Sequence, residues 1–368
     1  MKKLFFAFAL LCAQTIYAQY EYKFTTIKEN PATSVKNQAR TGTCWCFATT
    51  SFMESELLRM GKGEYDLSEM YIVRNNYKER IADNYLRNGR GNIGEGSVSH
   101  MYLKAMEKYG LMPEEAYPGI NYDSPTHDHT MLSKYVAAIS ATGVENRERI
   151  PEELVDGLMD AYLGEVPETF TYKGKEYTPE SFFESLGLDA DNYVEIGSFS
   201  HHPFYEKITL EVPDNWDHEL IYNVPLDDMI AIIDNAIDKG YTVGWDGDVS
   251  EPAYDFNYLR IALNADIDLK SLKGNLKERI VETPVTQESR QKGYENFTTT
   301  DDHLEHITGI AKDQEGVKYY ITKNSWGYDR NGTGYHYMSE NYVKAKTIFV
   351  LVHKDSIPKE IKSKLGIR

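Results

Sequence analysis

Cysteine, histidine and asparagine side chains occur in this chain of 368 residues where they could together support nucleophilic catalysis. Cys44 opens a segment with helical periodicity, so its thiol is predicted in the first turn of a helix, where unpaired N–H groups lower a thiol pKa. His303 and His306 lie in a predicted strand, and Asn324 ends the strand that would pair with it. An imidazole beside the thiol could act as the base, and the amide could orient the ring. The pattern therefore predicts acyl transfer by a cysteine nucleophile.

The same histidines allow a metal site as an alternative interpretation. His303, Glu305 and His306 could be ligands, but the established zinc pattern places two histidines one helical turn apart, and this segment is predicted as strand. The histidines at 127, 129, 201 and 202 are interpreted as loop residues. We therefore predict no metal and no cofactor. Residues three apart in a strand face opposite sides, so only one of the two strand histidines can meet Cys44.

A helix near the start of the chain and strands near its end must position these groups. Apolar residues at helical spacing run from Cys44 to Met60, with Thr43 as the predicted N-cap and Gly61 as the stop. Strands are predicted in the last third, the first two as a hairpin: 302–311, 317–324, 335–338 and 347–353. Other predicted elements are helices at 98–109, 151–163 and 226–239, a hairpin at 170–177 and a strand at 241–245. Helix first and strand later is α+β order.

The first 18 residues have the charged start, short apolar run and small final residue of a signal peptide, with cleavage expected after Ala18. We therefore expect an exported protein, secreted or periplasmic, without a membrane span. Cleavage removes two lysines and moves the formal net charge from −17 to −19, which argues against a nucleic-acid partner. It also removes Cys12, and Cys44 and Cys46 are too close in sequence for favourable disulfide geometry.

Three segments resemble those of papain-family cysteine peptidases: Gln38 with Cys44 and Trp45, then Asp302 with His303, then 323–327. They occur in the family's order. The resemblance implies an α+β papain-like fold of two subdomains within a peptidase domain spanning 19–368. We place the helical half at about 30–120, a large insertion at about 121–225 and the β half at about 226–355.

The resemblance also implies a role for each matching residue. Cys44 would be the nucleophile and His303 the base, since the family's glycine six residues after its histidine then matches Gly309. Asn324 would orient His303, and Gln38 with the Cys44 backbone N–H would form the oxyanion hole. Trp326 would shield the pair.

A glycine-rich stretch at 88–97 is interpreted either as a surface loop or as a platform that a ligand backbone can approach closely. Its end matches the segment with which relatives grip substrate, which implies substrate-binding roles for Gly96 and Ser97. Ser97 stands where relatives have glycine, so we expect an altered platform. Thr41 stands where many secreted relatives have a cysteine, so their disulfide is not expected here.

A closer likeness is to bleomycin hydrolase and the bacterial C-type aminopeptidases, through segments 107–113, 167–172 and 248–250 and the long spacing from Cys44 to His303. It implies an aminopeptidase with peptide substrates, and a homo-oligomer that is a hexamer in some relatives. Those enzymes use a C-terminal tail to read the substrate's amino end, and residues 364–368 follow the last predicted strand so soon that we expect this ruler to be missing. The alternatives are an endopeptidase of the same fold, a catalytically silent peptide-binding protein and, from the 28 tyrosines alone, a carbohydrate-binding protein.

Overall fold

A computed structural model describes residues 19–368; the predicted signal peptide, 1–18, lies outside them. The helices are α1 Cys44–Arg59, α2 Glu69–Leu86, α3 Ser99–Tyr109, α4 Leu132–Asn146, α5 Glu152–Leu163, α6 Pro179–Leu186, α7 Leu226–Asp238, α8 Leu269–Leu272, α9 Gln287–Glu295, α10 Glu340–Lys346 and α11 Lys359–Lys364. Nowhere in residues 19–368 is a helix both long and apolar enough to cross a bilayer.

Most of the strands join one large, mainly antiparallel sheet. The strands are β1 Thr25–Glu29, β2 Phe170–Tyr172, β3 Lys175–Tyr177, β4 Tyr193–Gly197, β5 Glu206–Thr209, β6 Leu220–Asn223, β7 Val243–Gly247, β8 Tyr254–Asp255, β9 Ile261–Ala262, β10 His303–Lys312, β11 Lys318–Lys323, β12 Tyr335–Ser339 and β13 Thr347–His353. The sheet order is β5-β6-β4-β13-β7-β10-β11-β12-β9-β8, with β1 also paired to β10 and β2–β3 forming a separate hairpin. β10 is thus held by β7, β11 and β1, which fixes the segment that starts at His303.

Helix α1 is buried from Cys44 to Leu57, because apolar side chains such as Trp45 and Phe52 cover more than one of its faces. It packs against β10, where the rings of Phe52 and His306 lie 6.2 Å apart. Thr43 is the N-cap residue, but its side chain does not cap the helix. Its hydroxyl instead lies 2.6 Å from the Thr41 hydroxyl, so the predicted capping bond is absent.

The predicted insertion, 121–225, supplies helices α4 to α6 and then strands to the main sheet. β4 pairs with β13 in antiparallel register, and β6 and β5 continue the sheet beyond β4. The loop between β5 and β6 reaches back to α3: the His100 ring bonds Glu195 of β4 and Asp217 of that loop, both at 2.8 Å. The helical half and the insertion are therefore joined by a buried, charged contact.

This contact predicts a pH-dependent stability. Burial lowers the pKa of His100, but Glu195 and Asp217 outweigh it and raise that pKa to about 9. A histidine with a raised folded-state pKa stabilises fully below its unfolded value and loses the contribution as pH rises through the folded value. We expect His100→Gln to lower the free energy of unfolding by roughly 3 kcal/mol at pH 6, with a smaller loss at pH 10. Urea denaturation at both pH values measures this, and an equal loss at both would contradict it.

Candidate active site

His303 and Asn324 are brought together by the β10–β11 hairpin, because one begins β10 and the other follows the last residue of β11. The His303 Nε2 atom lies 2.9 Å from Asn324 Oδ1. An amide oxygen only accepts hydrogen bonds, so Nε2 carries the proton and Nδ1 is free to accept another. The Trp326 ring stacks on the imidazole, with centroids 4.7 Å apart and an interplanar angle of 27°. The ring is thus held in one tautomer and one orientation.

Cys44 is the first residue of α1 and approaches the same end of β10. The backbone N–H groups of Leu304 and Trp45 are near enough to its sulfur to lower the thiol pKa, which places the thiol beside the residue that follows His303. Burial nevertheless raises the pKa of Cys44 to about 12, assisted by Asp301 and Asp214. The predicted lowering by the helix terminus is therefore outweighed. Burial also lowers the pKa of His303, so a neutral thiol and a neutral imidazole are favoured at rest.

His306 faces the opposite side of β10, as strand alternation predicts. Its Nδ1 atom lies 2.8 Å from the Ser51 hydroxyl in the middle of α1. The ring is buried, and Lys323 also bonds Ser51, at 2.7 Å. His306 therefore belongs to the contact between α1 and the sheet, away from the Asn324 amide.

Gln38 is fixed by the segment that carries Asn324. Its backbone N–H donates to the Ser325 carbonyl at 2.9 Å, and the Ser325 hydroxyl donates to its Oε1 at 2.6 Å. One amide hydrogen of Gln38 is directed to the Thr41 carbonyl, 2.8 Å away. The amide nitrogen has two hydrogens, so a second remains that could stabilise an oxyanion.

A buried network behind Asn324 was not assigned from the sequence. Glu305 accepts a hydrogen bond from the Asn324 amide, a second at 2.6 Å from the Tyr254 hydroxyl and a third at 2.8 Å from His336 Nε2. Its side chain is fully buried, and its charge also acts on His303, 3.9 Å away. Alternation along β10 was the available signal, since residues two apart share a face. The carboxylate thus fixes the amide that fixes the imidazole, in place of the metal role considered above.

Glu305 is therefore expected to be a positioning residue. Glu305→Gln removes the charge that raises the His303 pKa, and we expect kcat/KM to fall roughly 10 to 100-fold. The acid limb of the pH–rate profile should also move to lower pH, because His303 would protonate less readily. Tyr254→Phe keeps the charge and is the matched control. An unchanged profile in Glu305→Gln would assign the residue to stability alone.

The predicted platform is stiffened from below and covered by the insertion. Buried Arg80 donates to the carbonyls of Gly94, at 2.6 Å, and of Gly96. The Ser97 hydroxyl accepts a hydrogen bond of 3.1 Å from the Trp216 indole, so its side chain points into the insertion. The Asp214 carboxylate lies so close to Gly96 that a Cβ there would stand 2.0 Å from its Oδ2 atom. The side chain that Ser97 adds in place of glycine is thus directed toward Trp216.

Local contacts account for the remaining cysteine and for His201 and His202. His127 and His129, interpreted above as loop residues, are buried, and His127 Nδ1 and His129 Nε2 have no hydrogen-bond partner within residues 19–368. The Cys46 thiol donates to the Glu69 carbonyl at 3.2 Å inside the helical core, and both described cysteines are free thiols. Within residues 19–368, one group of potential metal ligands lies close together: His201, His202 and Glu211. They are largely exposed and bond each other, with His202 Nε2 2.6 Å from Glu211 Oε1. Hydrogen bonding thus explains their proximity.

Comparison with known proteins identifies a family and relatives that share this architecture. The Peptidase C1-like family matches residues 74–367. Aminopeptidase G of Lactobacillus delbrueckii subsp. lactis is 23% identical over 90% of this chain and 83% of its own length. Aminopeptidase C of Lactococcus lactis subsp. cremoris is 24% identical over 89% and 82%, and mitochondrial cysteine proteinase 1 of Saccharomyces cerevisiae strain YJM789 is 22% identical over 97% and 82%. The crystal structure of PepW from Lactobacillus rhamnosis HN001 superposes with a TM-score of 0.69 at 18% identity, covering 93% of this chain and 84% of that one.

The fold and these relatives define a cysteine-type peptidase with the predicted α+β, papain-like architecture. The chain belongs to the Peptidase C1-like family. The family match includes His303 and Asn324 and starts after Gln38 and Cys44, while the full-length relatives cover most of the chain. The roles of the individual site residues stay predictions.

Proposed function

We propose that this protein is an exported cysteine aminopeptidase that releases amino-terminal residues from peptides through a Cys44 acyl enzyme. The observation that carries the proposal is the His303 imidazole, held by Asn324 at 2.9 Å at the start of β10, the strand against which the helix that begins at Cys44 packs. The names of the aminopeptidase C and G relatives support the exopeptidase assignment.

The proposed reaction begins when the Cys44 sulfur attacks the peptide carbonyl carbon and its proton passes to His303 Nδ1. Gln38 Nε2 and the Cys44 backbone N–H stabilise the oxyanion, and a donor in this position is typically worth about 3 to 4 kcal/mol. The tetrahedral intermediate collapses, the C–N bond breaks and His303 returns the proton to the leaving amine. Water, activated by His303, then cleaves the thioester and regenerates the thiol.

A pair of substrates tests the proposal. An aminoacyl fluorogenic amide with a free α-amine is compared with its N-acetylated twin, which has the same leaving group. We expect kcat/KM to favour the free amine by at least about 100-fold, since binding the amino end would be worth about 3 kcal/mol. Equal rates would favour the endopeptidase alternative, and no hydrolysis of either substrate would contradict the catalytic proposal.

Export is supported by the pattern of residues 1–18, which includes a charged start and an apolar core. Amino-terminal sequencing of the protein from fractionated cells is expected to read from Gln19 outside the cytoplasm. An uncleaved chain in the cytoplasmic fraction would contradict export. Assembly into a hexamer, as in some relatives, stays a prediction that light scattering can test.

A further inference from the structure

Carboxyl groups surround the nucleophile on the side opposite the Asn324 network. Asp246 in β7 pairs directly with Leu304 in β10, the residue whose N–H reaches the Cys44 sulfur. Asp301 lies two residues before His303. The charges of Asp246 and Asp301 act on each other and on the Cys44 thiol, so the two acids form a cluster beside that thiol. The cluster is therefore adjacent to the reacting atoms of the proposed mechanism.

The carboxyl group of Asp246 lacks the donor groups that a buried carboxylate requires. Its side chain has no exposure to solvent, and no N–H or hydroxyl group within residues 19–368 donates to either of its oxygens. Its hydrogen-bond contact is with the Asp301 carboxyl group, which requires a proton shared between the two acids. No donor in that part of the chain reaches the inaccessible Oδ2 atom of Asp301 either. A buried carboxylate without a partner costs several kcal/mol, so such groups are normally bonded or paired. A bound group that donates hydrogen bonds could pair with these oxygens.

Asp214 adds a third carboxylate from the insertion. It contacts Gly96 of the platform and accepts a hydrogen bond of 3.2 Å from the Asn92 amide. Among the described residues, no side-chain cation donates to either oxygen of Asp246 or to Oδ2 of Asp301. Arg80 attracts Asp214 electrostatically, but its NH1 and NH2 groups donate to the carbonyls of the platform. Within residues 19–368 the cluster thus has no bonded cation, and its raised pKa values favour protonated carboxyl groups until a cation binds.

We propose that Asp246 and Asp301, with Asp214 beside Gly96, form the subsite that binds the α-ammonium group of the substrate. This inference rests on the proposed aminopeptidase function and names the residues that select a free amino end. They belong to β7, to the segment before β10 and to the insertion, whereas the C-terminal residues Ile361 and Leu365 lie in the apolar core that also contains α7.

The position of the cluster favours an α-ammonium over a basic side chain. In a bound aminoacyl substrate the amino nitrogen is only about 2.5 Å from the carbonyl carbon that Cys44 attacks. A lysine ammonium is carried on a four-carbon stem and an arginine guanidinium on a three-carbon stem, so both reach farther from that carbon. Asp246 is the register partner of Leu304, and Asp301 lies two residues before His303, so both acids are anchored beside the reacting groups, where the nearer nitrogen lies.

The raised pKa values of the two acids are compatible with a site that binds a cation reversibly. Burial, together with the charges of Asp214 and Asp302, raises the pKa of Asp301 to about 7, although the side-chain hydrogen bond with Asp246 lowers that pKa. Burial, followed by Asp301, Cys44 and Asp214, raises the pKa of Asp246 well above its ordinary value. A substrate ammonium would favour the ionised form of each and so offset the repulsion among them. Binding and ionisation are therefore expected to be linked.

The test uses the mature enzyme with Asp246→Asn and Asp301→Asn, which keep side-chain shape and remove charge. Asp266→Asn, at an exposed residue, changes the net charge equally and is the matched control. The substrates are leucine amide derivatives with a free or an acetylated amine, and an acetylated lysine derivative that carries its cation on the side chain. Alkylation of Cys44 by neutral iodoacetamide and thermal denaturation are measured on every variant.

Wild type and Asp266→Asn are expected to prefer the free-amine leucine substrate. For this substrate, we expect kcat/KM of each subsite variant to fall at least 10-fold, mainly because KM rises. Any change in Cys44 reactivity acts on the free and the acetylated leucine substrates alike and cancels in the ratio of their kcat/KM values, so this ratio should fall at least 10-fold in each subsite variant. The melting temperature should hold, because each amide replaces a carboxyl group whose raised pKa favours its neutral form. A retained preference in both variants would overturn the subsite. Selective loss of acetylated-lysine cleavage would overturn the α-ammonium assignment. Equal wild-type rates on both leucine substrates would overturn the subsite while leaving a peptidase, whereas inactivity on all substrates with unreactive Cys44 would overturn the proposed function itself.

Discussion

Cys44→Ala is expected to abolish hydrolysis of the free-amine amide substrate, with kcat/KM reduced by at least about four orders of magnitude. The reason is that the acyl intermediate needs a sulfur at the first residue of α1, where His303 can take its proton. Alanine keeps the buried volume nearly filled, so the variant should fold with little change in melting temperature. Fluorescence assays at substrate concentrations below KM measure the effect.

Cys46→Ala is the matched control for this prediction. Its thiol lies two positions further along α1 and donates only to the Glu69 carbonyl inside the core. We expect this variant to keep hydrolysis within a few-fold of wild type and to lose about 1 kcal/mol of stability at most. Substantial activity in Cys44→Ala, or loss of activity in Cys46→Ala alone, would move the nucleophile away from Cys44.

Gln38→Ala is expected to lower kcat by about 10² to 10³-fold and to leave KM nearly unchanged. The Gln38 amide is held by Ser325 and the Thr41 carbonyl, and its remaining hydrogen would contact oxygen only when negative charge develops. Such an interaction is stronger in the transition state than in the ground state, so its loss appears in kcat. Steady-state kinetics with the free-amine amide substrate separate the two parameters.

Ser325→Ala provides a graded comparison, because it removes the hydroxyl that bonds Gln38 Oε1 and leaves the amide in place. A loss smaller than that of Gln38→Ala is expected. If Gln38→Ala instead raised KM and kept kcat, Gln38 would bind substrate in the ground state and the oxyanion role would be wrong.

Helix α1 and the β10–β11 hairpin could be predicted from the sequence because their patterns are local. The apolar spacing after Cys44 predicted a helix ending at Gly61, and α1 ends at Arg59. Helix α2, Glu69–Leu86, was not predicted, since its buried face carries polar side chains such as Asn75 and Arg80 that obscure a hydrophobic stripe. Strands β4 to β6 are short, and their place in the sheet depends on partners far along the chain.

The candidate site likewise contains residues that the sequence predicts and residues that it does not. Cys44, His303 and Asn324 follow from helix position, hairpin closure and resemblance, which need little knowledge of the insertion. The acidic cluster of Asp214, Asp246 and Asp301 comes from three separate segments, and no local pattern marks it. Burial also reverses the expectation for Cys44, because removal of a thiol from water outweighs two backbone N–H donors.

The pairing of thiol and imidazole is tested most directly by alkylation of Cys44 with iodoacetamide at pH 7. The alkylation rate is compared between wild type and His303→Ala. Because burial raises the pKa of Cys44 to about 12, its thiol would stay almost entirely un-ionised at this pH without a proton acceptor. We therefore predict, by peptide mass spectrometry, labelling of Cys44 in wild type and at least 100-fold slower labelling in His303→Ala. Equal rates in the two proteins, or labelling of Cys46 in place of Cys44, would contradict the account.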